Sequence, residues 1–210
     1  GDWTESYIVD LFDWHLSVSE TTPWLAGNAQ WAFKDFGTPL RPENAIPYLN
    51  QKGLVDRAGK PKDAYYVFKS YWAEAPFAWI ESHSWTERSG PEGKARQVCV
   101  FSNCEEVSLS LNGQTLGKRT RELGNFPANN LRWEVPFVAG KNQLIAIGYR
   151  NGREVARDSL AIHYRYERHG KPDHIKLQAS ALPTGNLLVE AFMMDAKGQR
   201  VLDYEKRLYF

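Results

Sequence analysis

At 210 residues, the chain has room for one to three small folding units and a sizeable core. Its formal net charge is +1, with 26 basic residues scattered among 25 acidic ones, so it presents no electrostatic footprint for nucleic acid or an anionic membrane. Hydrophobic residues make up 42% and charged residues 24%, ordinary for a soluble globular chain, while eight Trp, ten Tyr and ten Phe supply flat faces that suit sugars as well as cores.

The first quarter predicts helix, strand, loop and helix. In "TESYIVDLFDWHLS", Thr4 can cap, Glu5 sits in the first turn, and Ile8, Leu11, Phe12 and Leu16 fall at helical spacing, so one side of this helix is buried. After the break at Pro23, "WLAGNAQWAFKDFG" is mostly uncharged and ends at Asp35 and Gly37, as a strand covered on both faces would. The stretch through Pro39, Pro42 and Pro47 is an irregular loop that leads to the turn "NQKG". Pro61 suits the first turn of a second helix, "KDAYYVFKSYW", in which Tyr65, Phe68 and Trp72 have the spacing of a buried stripe and which stops before Pro76. A lone strand between two helices cannot cover its faces or satisfy its own ladder, so residues 1–72 need partners from elsewhere.

From Phe77 the period becomes two. "VSLSL" alternates strictly and runs into Asn112-Gly113, a strong hairpin signal, then "QTLGKRT"; "AWIESHSW", "RQVCVFS", "LRWEVPF", "NQLIAIGYR" and "REVARDSLAIHYRY" are the other strand candidates. Seven short strands within about ninety residues predict an immunoglobulin-like sandwich. "KRTRE" reads as a solvated edge that discourages pairing with another chain. A hinge at "ERHGKPD" is followed by "HIKLQAS", "NLLVEAFMMD" and "RVLDYEKRLYF", the strands of a further β unit.

Cys99 and Cys104 in "VCVFSNC" are read as two free, mostly buried thiols, because a bond across so short and partly extended a spacing needs special geometry. The five His residues, His15, His83, His163, His169 and His174, are dispersed without an i, i+4 pair or a partner Cys, which argues against a metal site; no cofactor is expected. No run approaches the roughly 18 apolar residues of a membrane-crossing helix. No signal peptide is visible, which carries no weight for a piece of a longer chain.

"LAGNAQWAFKDFG" followed by "NQKGLVDRAGKPKDAYYVFKSYW" resembles the end of the catalytic barrel in glycoside hydrolase family 2, the family of β-galactosidases and β-glucuronidases. "VCVFSNCEEVSLSLNGQTLGK" and "LRWEVPFVAGKNQLIAIGYRNGREVARDS" are similar to the sandwich appended to many bacterial members, and "IKLQAS...LLVEAFMMDAKGQRV" to the opening of another such domain. The resemblance implies a mixed fold: the end segment of a (β/α)8 barrel over 1–75, an all-β immunoglobulin-like sandwich over 76–166, and the start of a second one over 167–210. It also implies a parent that cleaves a terminal β-linked sugar with retention, β-galactoside first and β-glucuronide next. The partners are the carbohydrate substrate and the remainder of the parent enzyme. Oligomeric state and compartment stay open, with export to the periplasm or medium of a bacterium the direction in which the resemblance leans. A carbohydrate-binding or scaffolding module and a structural spacer are the rival readings.

Retaining glycosidases need two carboxylic groups about 5 Å apart, one nucleophile and one acid/base. Glu5 in "DWTES" looks superficially like a nucleophile motif, but its pattern is helical and resembles the helix after that motif, which puts the nucleophile upstream of Gly1. The Asn-Glu pair of the acid/base is absent, and Glu43 in "RPENA" has the order reversed. The fragment is therefore expected to carry no catalytic residue and to be inactive alone. For substrate binding, position alone makes Trp31 a core residue, whereas the resemblance makes it a wall of the sugar pocket at a strand's C-terminal end. Asn50 and Lys52, two residues apart in the Gly53 turn, can bind sugar hydroxyls or a carboxylate, or else be a solvated loop. In β-glucuronidases an Asn-x-Lys-Gly loop at this place reads the substrate carboxylate, and enzymes of other specificity carry it too. Asp35 can accept a sugar hydroxyl or pair with a nearby cation.

Overall fold

The computed structural model describes residues 5–40, 42, 46–124, 131–202, 204 and 206. The expected Thr4 cap, Glu43 and much of "RVLDYEKRLYF" lie outside them. What is described is mostly β-sheet, with two helices.

Helix α1, Glu5–Thr21, buries Val9, Phe12 and Leu16 on one side. Ile8 and Leu11 are half-buried at its margin. The helix runs to Thr21, and the break at Pro23 lies just beyond it. The expected strand over 24–37 is not formed as such. Lys34 makes a single parallel bridge to Val55, and only Phe36–Gly37 (β1) pairs, antiparallel, with Leu49–Asn50 (β2). Trp24, Trp31 and Phe33 are exposed at 87%, 71% and 63%, so this run has no cover on its faces among the described residues. Helix α2, Asp63–Trp72, starts two residues after Pro61, which instead bridges Val55 just ahead of the Lys62 cap. Its buried stripe is Ala64, Val67 and Phe68, so of the expected Tyr65, Phe68, Trp72 stripe Phe68 is buried, Tyr65 is half-buried and Trp72 is exposed.

The remaining strands are β3 (Ala78–Ile80), β4 (Glu87–Gly90), β5 (Arg96–Ser102), β6 (Glu106–Leu111), β7 (Gln114–Thr120), β8 (Arg132–Val135), β9 (Gly140–Arg150), β10 (Arg153–Tyr166), β11 (Pro172–Ala181) and β12 (Leu187–Asp195). A five-stranded sheet in the order β4-β10-β9-β6-β7 faces a three-stranded sheet, β3-β5-β8. Between them lies one core: Ile80, Val98, Val100, Trp133 and Val135 from the smaller sheet meet Val107, Leu109, Leu144, Ala146, Leu160, Ile162 and Tyr164 from the larger. The hairpin signal is realised, with Asn112 and Gly113 both at positive φ (51° and 82°), as a turn matched to strand twist requires. β7 is an edge strand and is almost wholly exposed. β4 has no apolar alternation to betray it; it joins through parallel pairing with β10, and the expected long "AWIESHSW" strand stops at Ile80.

β5 is buried on both faces because two layers cover it. Val98 and Val100 point into the sandwich, while Cys99 and Phe101 join Val9, Phe12, Leu16, Val67 and Phe68 in a second core under the helices. Both thiols are free and buried, as expected. Leu109 is fully buried between the sheets. Leu109→Ala should cost about 2–5 kcal/mol, read as a lower urea midpoint with an unchanged slope. β11 and β12 form a separate two-stranded sheet. Among the described residues after it, only Arg200 makes a strand-like bridge, to Met194.

Candidate functional site

The segment carrying Trp31 and the turn carrying Asn50 and Lys52 lie side by side. Backbone bonds from Leu54 to Ala32 (3.2 Å), from Val55 to Phe33 (3.0 Å) and from Asp35 to Val55 (3.0 Å) lay 53–55 along 32–35. Trp31 is followed by a cis peptide to Ala32 and stands 71% exposed, its ring edge-on to Phe36 at 5.9 Å. Among the described residues, an indole this exposed offers a flat apolar face to a ligand.

In the turn, Asn50 Oδ1 accepts the Lys52 N–H at 3.1 Å, a local Asx-type closure. The N–H donors of the same amide take no part in that closure. Lys52 is exposed, in the turn whose following residues are laid along the Trp31 segment. Gly53 closes the turn where no other residue fits. A Cβ there would stand 2.2 Å from the Asp35 nitrogen and 2.6 Å from the Val55 oxygen, both backbone atoms.

Asp35 lies beneath the turn rather than at its surface, with its side chain only 3% exposed. Its Oδ1 accepts the Gly53 N–H at 2.9 Å and pairs with the Lys62 ammonium at 2.7 Å. The same ammonium donates to the Gln51 carbonyl at 2.9 Å. Of the two roles open to Asp35 in the sequence, pairing with a cation is the one displayed. Sequence reasoning missed Lys62. It lies 27 residues from Asp35, and no periodicity or motif ties the two.

This unit is fastened to the sandwich through the start of α2. The Asp63 N–H is accepted by Glu5 at 2.8 Å, so Glu5, the apparent nucleophile of "DWTES", acts as a cap for a second helix. The Asp63 carboxylate accepts the Ser82 N–H at 2.8 Å and the Ser82 hydroxyl at 3.0 Å. Arg132 of β8 pairs with Asp10 of α1, and Asn103 holds the exit of α2 by donating to Ala73 (2.7 Å) and Ala75 (2.9 Å) while accepting from Phe77 (3.0 Å). Burial pushes the Asp63 carboxyl above its ordinary range, and does the same to Glu5, helped by the Asp63 charge.

Glu81, in the same seam, is pushed up to about 7 by burial, with the Asp63 charge acting in the same direction. A raised carboxyl pKa means that the folded state holds its proton longer than the unfolded state, so Glu81 weakens the fold progressively as pH rises from the ordinary carboxylate range through about 7. Glu81→Gln should therefore leave stability unchanged near pH 4 and raise it by about 1–3 kcal/mol at pH 8. A wild-type-to-variant gap in melting temperature that is equal at both pH values would contradict this.

The tryptophans that a sugar-binding sheet would display are not arrayed for it. Trp133 is buried in the core, and Trp79 is stacked between Tyr66 (4.2 Å) and His83 (3.8 Å). Trp85 is exposed in a loop beside Arg88. Among the described residues no group of three or more His, Cys, Asp or Glu could hold a metal ion.

Against this geometry, comparisons with known proteins are specific. The family model described as a domain of unknown function (DUF4982) matches residues 93–156, within the sandwich. A Formosa agariphila protein named "Putative beta-glucuronidase" is 59% identical over the whole chain, which covers 26% of that relative. Bacteroides uniformis β-glucuronidase 3 in its apo form superposes with a TM-score of 0.76 at 47% identity, over 97% of this chain and 26% of that one. The β-galactosidase BoGH2A of Bacteroides ovatus is 27% identical over 77% of the chain and 17% of its own length. Over its whole length the chain is thus similar to part of β-glucuronidase- and β-galactosidase-type proteins resembling glycoside hydrolase family 2. It spans about a quarter of the length of the Formosa and B. uniformis relatives.

Proposed function

We propose that this chain is part of a retaining β-glycosidase whose terminal sugar is a β-glucuronide. The sequence ranked β-galactoside first; the relatives reverse that order, since the β-glucuronidases named above exceed in identity the β-galactosidase beside them. The observation that carries the reading is the Asn50–Gly53 turn, pinned by Asp35 and Lys62, with Lys52 exposed in it. A fixed turn with an exposed cation fits a carboxylate on the sugar better than neutral hydroxyls alone. In this reading residues 1–75 are the end of the catalytic barrel, 76–166 an immunoglobulin-like sandwich and 167–210 the opening of another. The described helices, the turn and the two facing sheets are compatible with that division.

In the mechanism, Trp31 lies against the C–H face of the pyranose, while Asn50 and Lys52 engage its carboxylate and so hold the anomeric carbon in register. The nucleophile and the acid/base come from the rest of the enzyme, and the covalent intermediate forms there. This chain supplies binding and orientation and is inactive alone. The test is the full-length enzyme on aryl β-glucuronide and aryl β-galactoside with the same leaving group, with the first-formed anomer followed by NMR. A higher kcat/KM for the galactoside would remove the sugar assignment, and an inverted first product would remove the retaining mechanism.

A further inference from the structure

Lys62 grips both ends of the turn at once. Its ammonium donates to the Gln51 carbonyl at 2.9 Å and to Asp35 Oδ1 at 2.7 Å, and that same oxygen takes the Gly53 N–H at 2.9 Å. The residue between these anchored points is Lys52. The Asp35 side chain is 3% exposed and that of Lys62 24%, so the pair is shielded on one side, where an ionic contact is stronger than at an open surface. The Lys62 backbone is itself fixed: its N–H donates to the Leu54 carbonyl at 3.0 Å, and it occupies the N-cap position of α2, whose first residue is held by Glu5 and Ser82.

We propose that Asp35 and Lys62 are positioning residues for the Lys52 ammonium, setting the turn backbone from which it reaches the substrate. This rests on the reading of Lys52 as the carboxylate-binding group. A Lys side chain has a flexible four-carbon stem, so the fold controls its reach chiefly through the placement of its backbone. Without the Lys62 ammonium, Asp35 becomes a buried carboxylate lacking its cation and the Gln51 carbonyl loses a donor. The turn then relaxes to hydrate them. Asp35 and Lys62 need not touch sugar to govern how tightly it is held.

The experiment is a double-mutant cycle in the full-length enzyme on an aryl β-glucuronide. Lys62→Met should lower kcat/KM about tenfold, mainly through KM, and Lys62→Arg should recover part of the loss. In the Lys52→Ala background the same Lys62→Met should change kcat/KM less than about twofold, because the group being positioned is gone. An equal loss in both backgrounds, or no loss in the Lys52-containing enzyme, overturns the proposal. Should Lys62→Met not yield folded enzyme, Asp35→Asn keeps the shape and an acceptor for the Gly53 N–H while removing the charge. The same coupling to Lys52 is then expected of Asp35→Asn, and the same two results overturn the proposal. Lys52→Ala alone reports on the carboxylate reading. If it costs nothing, that reading fails and this proposal with it, an outcome distinct from a cycle in which Lys52→Ala is costly but does not couple to Lys62.

Discussion

Lys52→Ala in the full-length enzyme is expected to lower kcat/KM on aryl β-glucuronide by about 30- to 100-fold. Truncating one member of a close charge pair typically costs 2–5 kcal/mol, with about 1.4 kcal/mol per tenfold. The lower part of that range applies because Lys52 stands exposed on this chain, where solvent screens it. A neutral β-galactoside has no carboxylate to lose, so its kcat/KM should shift less than about threefold. Trp31→Ala serves as the contrast. The indole meets a sugar face common to both substrates, so its removal should lower both rates by a similar factor. Equal losses on the two sugars from Lys52→Ala would make Lys52 a general loop residue and remove it as the carboxylate reader.

Gly53→Ala should be as damaging for a different reason. The added carbon would sit 2.2 Å from the Asp35 nitrogen and 2.5 Å from the Lys34 carbonyl carbon, and neither backbone atom can swing aside as a flexible side chain could. The strand-like contact between 32–35 and 53–55 must open, which breaks the Gly53 to Asp35 bond and displaces Lys52. Backbone displacements of about 1 Å cost roughly a hundredfold in rate at a reacting site, and overpacking adds about 1–3 kcal/mol of instability. The expected result is a lower melting temperature together with a kcat/KM loss on glucuronide comparable to that of Lys52→Ala. Wild-type kinetics in Gly53→Ala would show that the turn tolerates the shift and that its position does not govern binding.

Much of the sandwich was legible because the physics that makes it is local. Strict alternation in "VSLSL", the Asn112-Gly113 turn and the apolar runs of β5 and β9 depend on residues two apart, and the strands formed where those patterns lie. β4 was illegible for the complementary reason. "ERSG" has no pattern of its own and becomes a strand only because β10 offers it a parallel edge. The segment 24–37 erred in the other direction. Its apolar run reads as a covered strand, but cover is a property of neighbours; among the described residues Trp24, Trp31 and Phe33 stay mostly exposed, in keeping with a segment that needs partners from elsewhere.

At the candidate site the same division holds. Asn50 and Lys52 in the Gly53 turn could be a site or a solvated loop from their spacing, and position alone makes Trp31 a core residue; the family resemblance is what singled the three out. From sequence alone come the residue types that can meet a sugar, the free thiols and a near-neutral charge that gives no electrostatic footprint for nucleic acid or an anionic membrane. Tertiary structure alone decided that Asp35 faces inward to Lys62, that Glu5 caps a helix 58 residues away, and that Gly53 admits no side chain. Each of these is a contact between segments far apart in the chain. A single sequence encodes the groups that make such contacts, but not which of them chain closure brings within about 3 Å of one another.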